Sequence, residues 1–521
     1  MTTAPTSAII PRWEWRAFGE RFVVAEGPFS ALIPDRVQES VDLYLVSRDG
    51  DSTVKIRDGL MDVKRLERVD ENGLEQWIPV MKAPFPLPAD EVGRVLADLR
   101  MGAPPVERSE YALGELLEEL EDASDDVIVV EVRKRRVRYT LEGCMAELTE
   151  ARTDIGMACT IAVESEDPAE VVSKVAELGL GSLPNVSYPS WLKMLAGLVP
   201  ARFAVIDVGT NSVKLHVGER DVDGLWRTVA DRAEVTRLGE GLDQTGALNV
   251  APMERTGEAI AEMVDEARRK GALAVAAVGT AGLRTASNSA VFVDAVEARS
   301  GVRIEIITGK EEGRLAYLAV KSSLGLGEGS LVVFDSGGGS SQFTFGQGDH
   351  VEERFSVDVG AARFTERFGL DGPVSREVLA DALRAIAADL ERLDGRPAPS
   401  LLVGMGGAMT NLAAVNHELE TYDPEIVQGT VLDRTEIDRQ IELYRTSTVE
   451  ERRSVVGLQP KRAEVILAGA CIVQTVMAKF SADSVTVSDR GLRHRLVAER
   501  FALPDAGVVS ASETPHGRGH A

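Results

Sequence analysis

Apolar and polar positions follow two different rhythms on either side of Pro200. Before it, segments such as WEWRAF, VDLYLV, VKIRDGLMDVK, VRKRRVRYTL, AELTEA and IAVESE alternate apolar with charged residues. That period of two predicts short antiparallel strands. An acidic helical stretch over residues 115–126 lies among them. After Phe203, apolar strands alternate with helical segments: apolar residues recur at Met253, Ile260, Val264 and Ala267, and the run ALAVAAVG follows a Lys270-Gly271 stop. This alternation predicts an α/β architecture whose central strands are covered on both faces. The junction GLVPARFAVID sets Pro200 between an amphipathic segment and a buried strand, as a short linker does. From Leu503 onward the residues are small and polar, which predicts a disordered tail over 503–521.

Composition narrows the class. The 521 residues are too many for one ordinary core and predict roughly two to four folded units. With 44% hydrophobic and 27% charged residues and no long apolar run, the chain reads as globular, with no membrane partner. A net charge of -25 argues against nucleic acid as a partner. Only Cys144, Cys159 and Cys471 are present, none in a C-x-x-C pair, and the N-terminus lacks the pattern of a secretory signal. A reducing, cytoplasmic location is the expectation.

Two segments share one grammar. FAVIDVGTNSVKLHV and LVVFDSGGGSSQFTFG each run from an apolar strand ending in Asp, through a Gly-containing turn, into a second apolar strand. In such a hairpin glycine permits backbone turns whose N–H groups converge on an anion. Gly209, Thr210, Asn211 and Ser212 form the first candidate phosphate cradle, and Gly337, Gly338, Gly339, Ser340 and Ser341 the second. Asp207 and Asp335, at the strand ends, are the candidate ligands for a hard divalent ion.

The repeated hairpin resembles the actin, hexokinase and heat-shock chaperone superfamily, with two similar lobes facing across a cleft. Further segments narrow the likeness. AVGTAGLRTASN carries Thr280, Arg284 and Asn288; IEIITGKEEGRLAYLAV carries Glu311 and Glu312; LLVGMGGAMTNLAAV carries Gly404, Gly406 and Gly407; VGLQPKRAEVILAGA and SDRGLR follow. In this order they resemble the exopolyphosphatase/guanosine pentaphosphate phosphatase (Ppx/GppA) family, from Phe203 to Arg500. The resemblance implies a ribonuclease H-like, actin-like ATPase fold, Mg2+ (or Mn2+) as cofactor, and water attacking a terminal phosphoryl group. Glu312 would be the base, and Arg284, Asp207 and Asp335 would complete the catalytic set. Inorganic polyphosphate or guanosine pentaphosphate would be the partner, and a homodimer is common among such relatives. Two positions depart from the family: Gln342 stands where a Glu is usual, and His494-Arg495 where Glu-Gly is usual.

The N-terminal segments resemble the CYTH, or triphosphate tunnel, family, an antiparallel β-barrel of α+β character. Alternation puts Lys55 and Arg57 on one face, Lys64 on the next strand, and Arg133, Arg135 and Arg138 on a further one, depending on register. These are the candidate polyphosphate-binding residues of a basic tunnel. That family pairs Glu-x-Glu near its start to hold metal; here the motif reads Glu14-Trp15-Arg16, while Glu147 and the later Glu164-x-Glu166 pair are kept. The resemblance therefore implies binding rather than hydrolysis there. The expected division is residues 1–199 for the tunnel, 202–325 and 326–502 for the two lobes, the last helix returning to the first lobe. A non-catalytic polyphosphate or alarmone sensor is the alternative to a hydrolase, and a kinase of the same superfamily ranks behind both.

Overall fold

The computed structural model describes residues 11–19, 21–101, 107–123 and 127–502. The tail expected over 503–521 lies outside the described residues. The chain divides into two compact units, one of Met1–Ile306 with Val497–Ala521 and one of Ile307–Leu496.

The first unit opens with a barrel. Strands β1 (Arg12–Gly19), β2 (Arg36–Ser47), β3 (Thr53–Arg57), β4 (Leu60–Val69) and β5 (Glu75–Pro84) come first, then a small ladder of β6 (Leu87–Pro88) and β7 (Glu110–Tyr111), then β8 (Val127–Leu141), β9 (Cys144–Arg152) and β10 (Met157–Ser165). All strands but the ladder close into one antiparallel barrel in the order β1-β10-β9-β8-β2-β3-β4-β5, with β5 returning to β1.

Helices dress this barrel from outside. Helices α1 (Val23–Ser30), α2 (Ala89–Asp98), α3 (Leu113–Ala123) and α4 (Pro168–Glu177) do so, whereas α5 (Tyr188–Ala196) sets Tyr188 against the inward-facing Arg16, Tyr44 and Lys134. Leu45, Val54, Ile56, Met61 and Val63 on the outer face meet Val92, Val95 and Leu96 of α2 and Leu116 and Leu120 of α3. Trp13, Trp15, Ala146, Ile161 and Val163 meet Val171 and Val175 of α4. Because side chains alternate along a strand, the residues between these point inward, and they are largely polar.

A five-stranded sheet completes the first unit: β11 (Ala201–Val208), β12 (Ser212–Arg220), β13 (Trp226–Val235), β14 (Ala272–Gly279) and β15 (Ile304–Ile306), in the order β13-β12-β11-β14-β15. The first three are antiparallel and the last two join in parallel. After the short α6 (Leu242–Thr245), the crossover helix α7 (Val250–Arg269) buries Ile260, Met263, Val264 and Ala267 against Ala204, Ile206 and Leu215. Helices α8 (Ala281–Thr285) and α9 (Ser289–Ser300) follow β14.

The second unit opens with α10 (Gly309–Ser323) and repeats the plan in β16 (Ser330–Ser336), β17 (Ser341–Gln347), β18 (His350–Val357), β19 (Leu401–Met405), β20 (Val431–Asp433) and β21 (Ser484–Val487). Their order is β18-β17-β16-β19-β21-β20, again a meander of three strands followed by the parallel β19 and β21, with β20 antiparallel at the edge. Phe334, Phe343 and Phe355 stack on one face of the meander. The helix Ile466–Lys479 is buried along almost its whole length in the same core.

Candidate functional site

The first hairpin joins β11 to β12. Its turn is closed by the N–H of Gly209 donating to the Ser212 carbonyl at 3.0 Å, with Thr210 and Asn211 exposed at the tip. A Cβ on Gly209 would lie 2.9 Å from that same carbonyl oxygen, so the turn requires glycine. Asp207 ends β11 opposite Lys214. The segment carrying Arg284 docks on this turn: the Thr280 N–H donates to the Val208 carbonyl at 3.2 Å, and a Cβ on Gly282 would come 2.8 Å from Thr210 Oγ1. Thus Asp207, Thr210 and α8 with Arg284 are gathered by the sheet of the first unit. Asn288 is structural, bridging both backbone groups of Leu248.

The second hairpin, in the second unit, has the same construction. The Gly337 N–H donates to the Ser340 carbonyl at 2.9 Å, and Gly337, Gly338 and Gly339 are exposed. Asp335 ends β16 opposite Gln342. One expected phosphate ligand is corrected here. Ser341 is fully buried and its hydroxyl donates to the Val359 carbonyl at 2.6 Å, because this position is already inside β17. Ser340, one residue earlier, stays partly exposed. Gly406, at φ 89°, packs so closely on Asp335 that a Cβ would overlap its carboxylate.

Glu311 and Glu312 lie in the first turn of α10, which Thr308 caps by accepting from the Glu311 N–H at 3.1 Å. Their roles separate. Glu311 accepts from two nitrogens of Arg314, Nη2 at 2.7 Å and Nε at 2.9 Å. Glu312 lies 3.4 Å from the guanidinium of Arg354, a residue absent from the sequence-based set. Arg354 also donates to the Gln342 amide oxygen and to the Gly309 carbonyl. Space for it comes from Gly313, where a Cβ would overlap its side chain.

A hard divalent ion takes one or two carboxylates, completing its shell with water and substrate phosphate. Asp207 offers one such ligand at the first hairpin. Among the described residues no group of three or more ligating side chains gathers at Asp207, Asp335 or Glu312. At the second hairpin the residue beside Asp335 is an amide engaged with arginine, so that hairpin does not fit an ion held by a pair of carboxylates.

The barrel holds the densest charge network. By register, Glu14, Arg16, Asp42, Tyr44, Lys55, Arg57, Asp62, Lys64, Glu75, Lys134, Arg136, Arg138, Glu147 and Glu164 share its inner face. The expectation for Arg133 and Arg135 is overturned. Both point outward, side chains 74% and 50% exposed, beside Glu131 and Glu150, because the neighbours Lys134 and Arg136 take the inward positions. Glu166 likewise lies past the end of β10 and is exposed.

The lumen is mixed rather than simply basic. Asp42 binds Arg57 Nε at 2.6 Å and Lys134 Nζ at 3.1 Å. Burial would raise its carboxyl, but Arg57 and Lys134 hold it well below the carboxylate range. Lys134 donates to Tyr44 at 2.6 Å and lies 3.5 Å from the ring centre of Tyr188 on α5; burial pushes its ammonium far down. Burial, aided by Arg57, brings Lys55 to about 8. Arg16 pairs with Glu14 at 2.8 Å and approaches Glu147 at 3.7 Å. Burial together with the Glu14 charge raises Glu75 to about 7.

Two units of one sheet order, each with a glycine hairpin after an aspartate-ended strand, define an actin-like phosphoryl-handling fold. The family itself follows from residues 217–502, which match the Ppx/GppA phosphatases. The chain belongs to the Ppx/GppA phosphatase family. The crystal structure of the Aquifex aeolicus Ppx/GppA phosphatase aligns with a TM-score of 0.52 and 33% identity, covering 57% of this chain and 99% of that one. Exopolyphosphatase 2 of Mycobacterium tuberculosis is 29% identical over 314 residues, 56% of this chain and 96% of that protein. A bifunctional 3-dehydroquinate synthase/phosphatase of Fusobacterium nucleatum is 28% identical over 300 residues, 55% of this chain, which spans only 44% of its length. Among the described residues no helix is long and apolar enough to cross a membrane.

Proposed function

We propose that the chain hydrolyses phosphoanhydride bonds, releasing terminal phosphate from inorganic polyphosphate or from guanosine pentaphosphate, and that its barrel binds the polyanion. The observation that carries this reading is the recurrence, in both units, of a turn closed by the same glycine-to-serine hydrogen bond beside an aspartate. The named activity of the mycobacterial relative supports it.

The turns at 209–212 and 337–340 hold phosphate oxygens through backbone N–H groups and the hydroxyls of Thr210, Ser212 and Ser340. Arg284 adds charge to the oxygens of the transferring group. Glu312 orients water and takes its proton. A divalent ion bound through water at Asp207 supplies further positive charge. In the barrel, Lys55, Arg57, Lys134 and Arg138 hold the chain in exchange for Asp62, Asp42 and Glu147, with Lys64 and Arg136 beside them.

The test is phosphate release from defined polyphosphate lengths and from guanosine pentaphosphate, comparing wild type with Glu312→Gln. Loss of roughly 100-fold or more in turnover, with an unchanged unfolding midpoint, is expected. Unchanged turnover in the variant removes Glu312 as base. Binding without release from any substrate turns the reading toward a sensor.

A further inference from the structure

We infer that Arg354 supplies the positive charge at the second hairpin, so that phosphate binding to residues 337–340 does not depend on a divalent cation. This rests on the phosphate-handling reading given above.

The second unit places two carboxylates near its hairpin, Asp335 at the end of β16 and Glu312 at the start of α10. Left alone, each repels a phosphoryl oxygen, and the ordinary remedy is a bound cation. Here guanidinium groups lie beside those carboxylates, and Arg363 donates to the Gly339 carbonyl of the turn itself at 3.1 Å. Arg354 pairs with Glu312 at 3.4 Å, and the half-buried Arg462, packed on Gly407, is held in the field of Asp335. Glu311, the remaining acid of the turn, is drawn away by Arg314.

The seat of Arg354 is built rather than incidental. Three groups accept from it or pair with it: the Gly309 carbonyl at the start of α10, the Gln342 amide oxygen and the Glu312 carboxylate. Gly313 leaves the gap its stem fills. Only 20% of the side chain is exposed, so its charge is poorly screened by water. Gln342 matters for the same reason: its oxygen faces a cation already, and a neutral amide gives a metal no anionic ligand. A guanidinium stays charged at every accessible pH and holds several acceptors in one plane, which suits a permanent replacement for an ion. Arg354 is thus a positioning residue for Glu312 and the local counter-charge for the anion.

Hydrogen exchange of the full chain with inorganic tripolyphosphate tests this, because it reads the second hairpin separately from the barrel. In EDTA, tripolyphosphate is expected to protect the wild-type segment 336–345 within about two-fold of the affinity seen in Mg2+. Arg354→Met is expected to lose about ten-fold or more in EDTA and to recover in Mg2+, while Arg354→Lys, which keeps the charge, stays within about three-fold of wild type. Unchanged exchange in the buried helix Ile466–Lys479 verifies that the variants are folded.

Wild-type protection that appears only in Mg2+, or Arg354→Met protection equal to wild type in EDTA, overturns the inference. If phosphate release proceeds in those cases, the hydrolase reading stands and only the role of Arg354 falls. No protection of the hairpin in either buffer defeats both.

Discussion

Arg354 lies across Gly313 so tightly that the first turn of α10 and the strand β18 are spaced for that one pair. Replacing Gly313 with Ala forces the arginine out of its seat and detaches it from Glu312. Overpacking of this kind costs about 1–3 kcal/mol, and phosphate release is expected to fall by about ten-fold or more. Denaturant melts and turnover measured together check both effects; a variant with wild-type turnover shows that the pair is dispensable.

Arg220 is expected to be among the most costly single positions. It is 2% exposed, and its nitrogens donate to the carbonyls of Met194 and Phe501 at 2.7 Å and of Leu195 and Ala502 at 3.2 Å, with Phe203 beneath. Burial alone lowers it to about 10. Arg220→Met keeps volume but leaves these acceptors without a donor, a loss of about 3 kcal/mol or more. Chemical denaturation followed by tryptophan fluorescence reads it.

Glu75 makes the barrel sensitive to pH in a defined direction. Its carboxyl rises from an ordinary value of 4.5 to about 7 on folding. Between these values the folded state holds a proton that the unfolded state has released, so stability falls as pH rises from about 4.5 to 7. Glu75→Gln is expected to match wild type at pH 4 and to exceed it by on the order of 2 kcal/mol at pH 8. Glu147, held near 2 by Arg16 and Arg136 against its burial, acts oppositely: its contribution is complete above 4.5 and disappears toward 2.

In the lumen, Asp42→Asn removes the shared partner of Arg57 and Lys134. Unfolding free energy is expected to drop by about 3–5 kcal/mol, as for other broken buried pairs. The same change frees the Arg57 guanidinium for an incoming anion. Tripolyphosphate should therefore raise the unfolding midpoint of the variant more than that of wild type, and less so at high salt. An equal shift in both proteins argues against the lumen as the binding place.

Local grammar made the hairpins legible. Strand, aspartate, glycine turn and strand occupy 15 or 16 consecutive residues, so Asp207 and Asp335 could be placed from sequence, and the repeated plan of the two sheets followed. The inner face of β8 was harder. Val127, Ile128, Val129 and Val130 occupy both parities, so hydropathy gives Arg133 and Lys134 equal claim to the interior. What separates them is the pairing of β8 with β2, which sets Lys134 opposite Ser40 and beside Asp42, a fact of tertiary register. Arg354 carried no signal at all: it stands 42 positions from Glu312 (354 minus 312), on a strand whose register alone brings it to α10. Ser341 was misread because a hydroxyl next to a turn looks the same whether it faces solvent or the core.

The barrel's arrangement, charged within and oily without, also bears on how the chain must assemble. A sheet closing around lysines and carboxylates receives no reward from collapse of its own interior, since those groups surrender hydration before they meet. The gain lies on the outside, where α2, α3 and α4 lie over Leu45, Ile56, Trp15 and Val163. Closure is therefore expected to be late and dependent on the helices, with the strands recruited one by one onto an apolar jacket. Weakening that jacket, for instance by Leu96→Ala on α2, should open the ring before it disturbs the sheets that carry the two glycine hairpins.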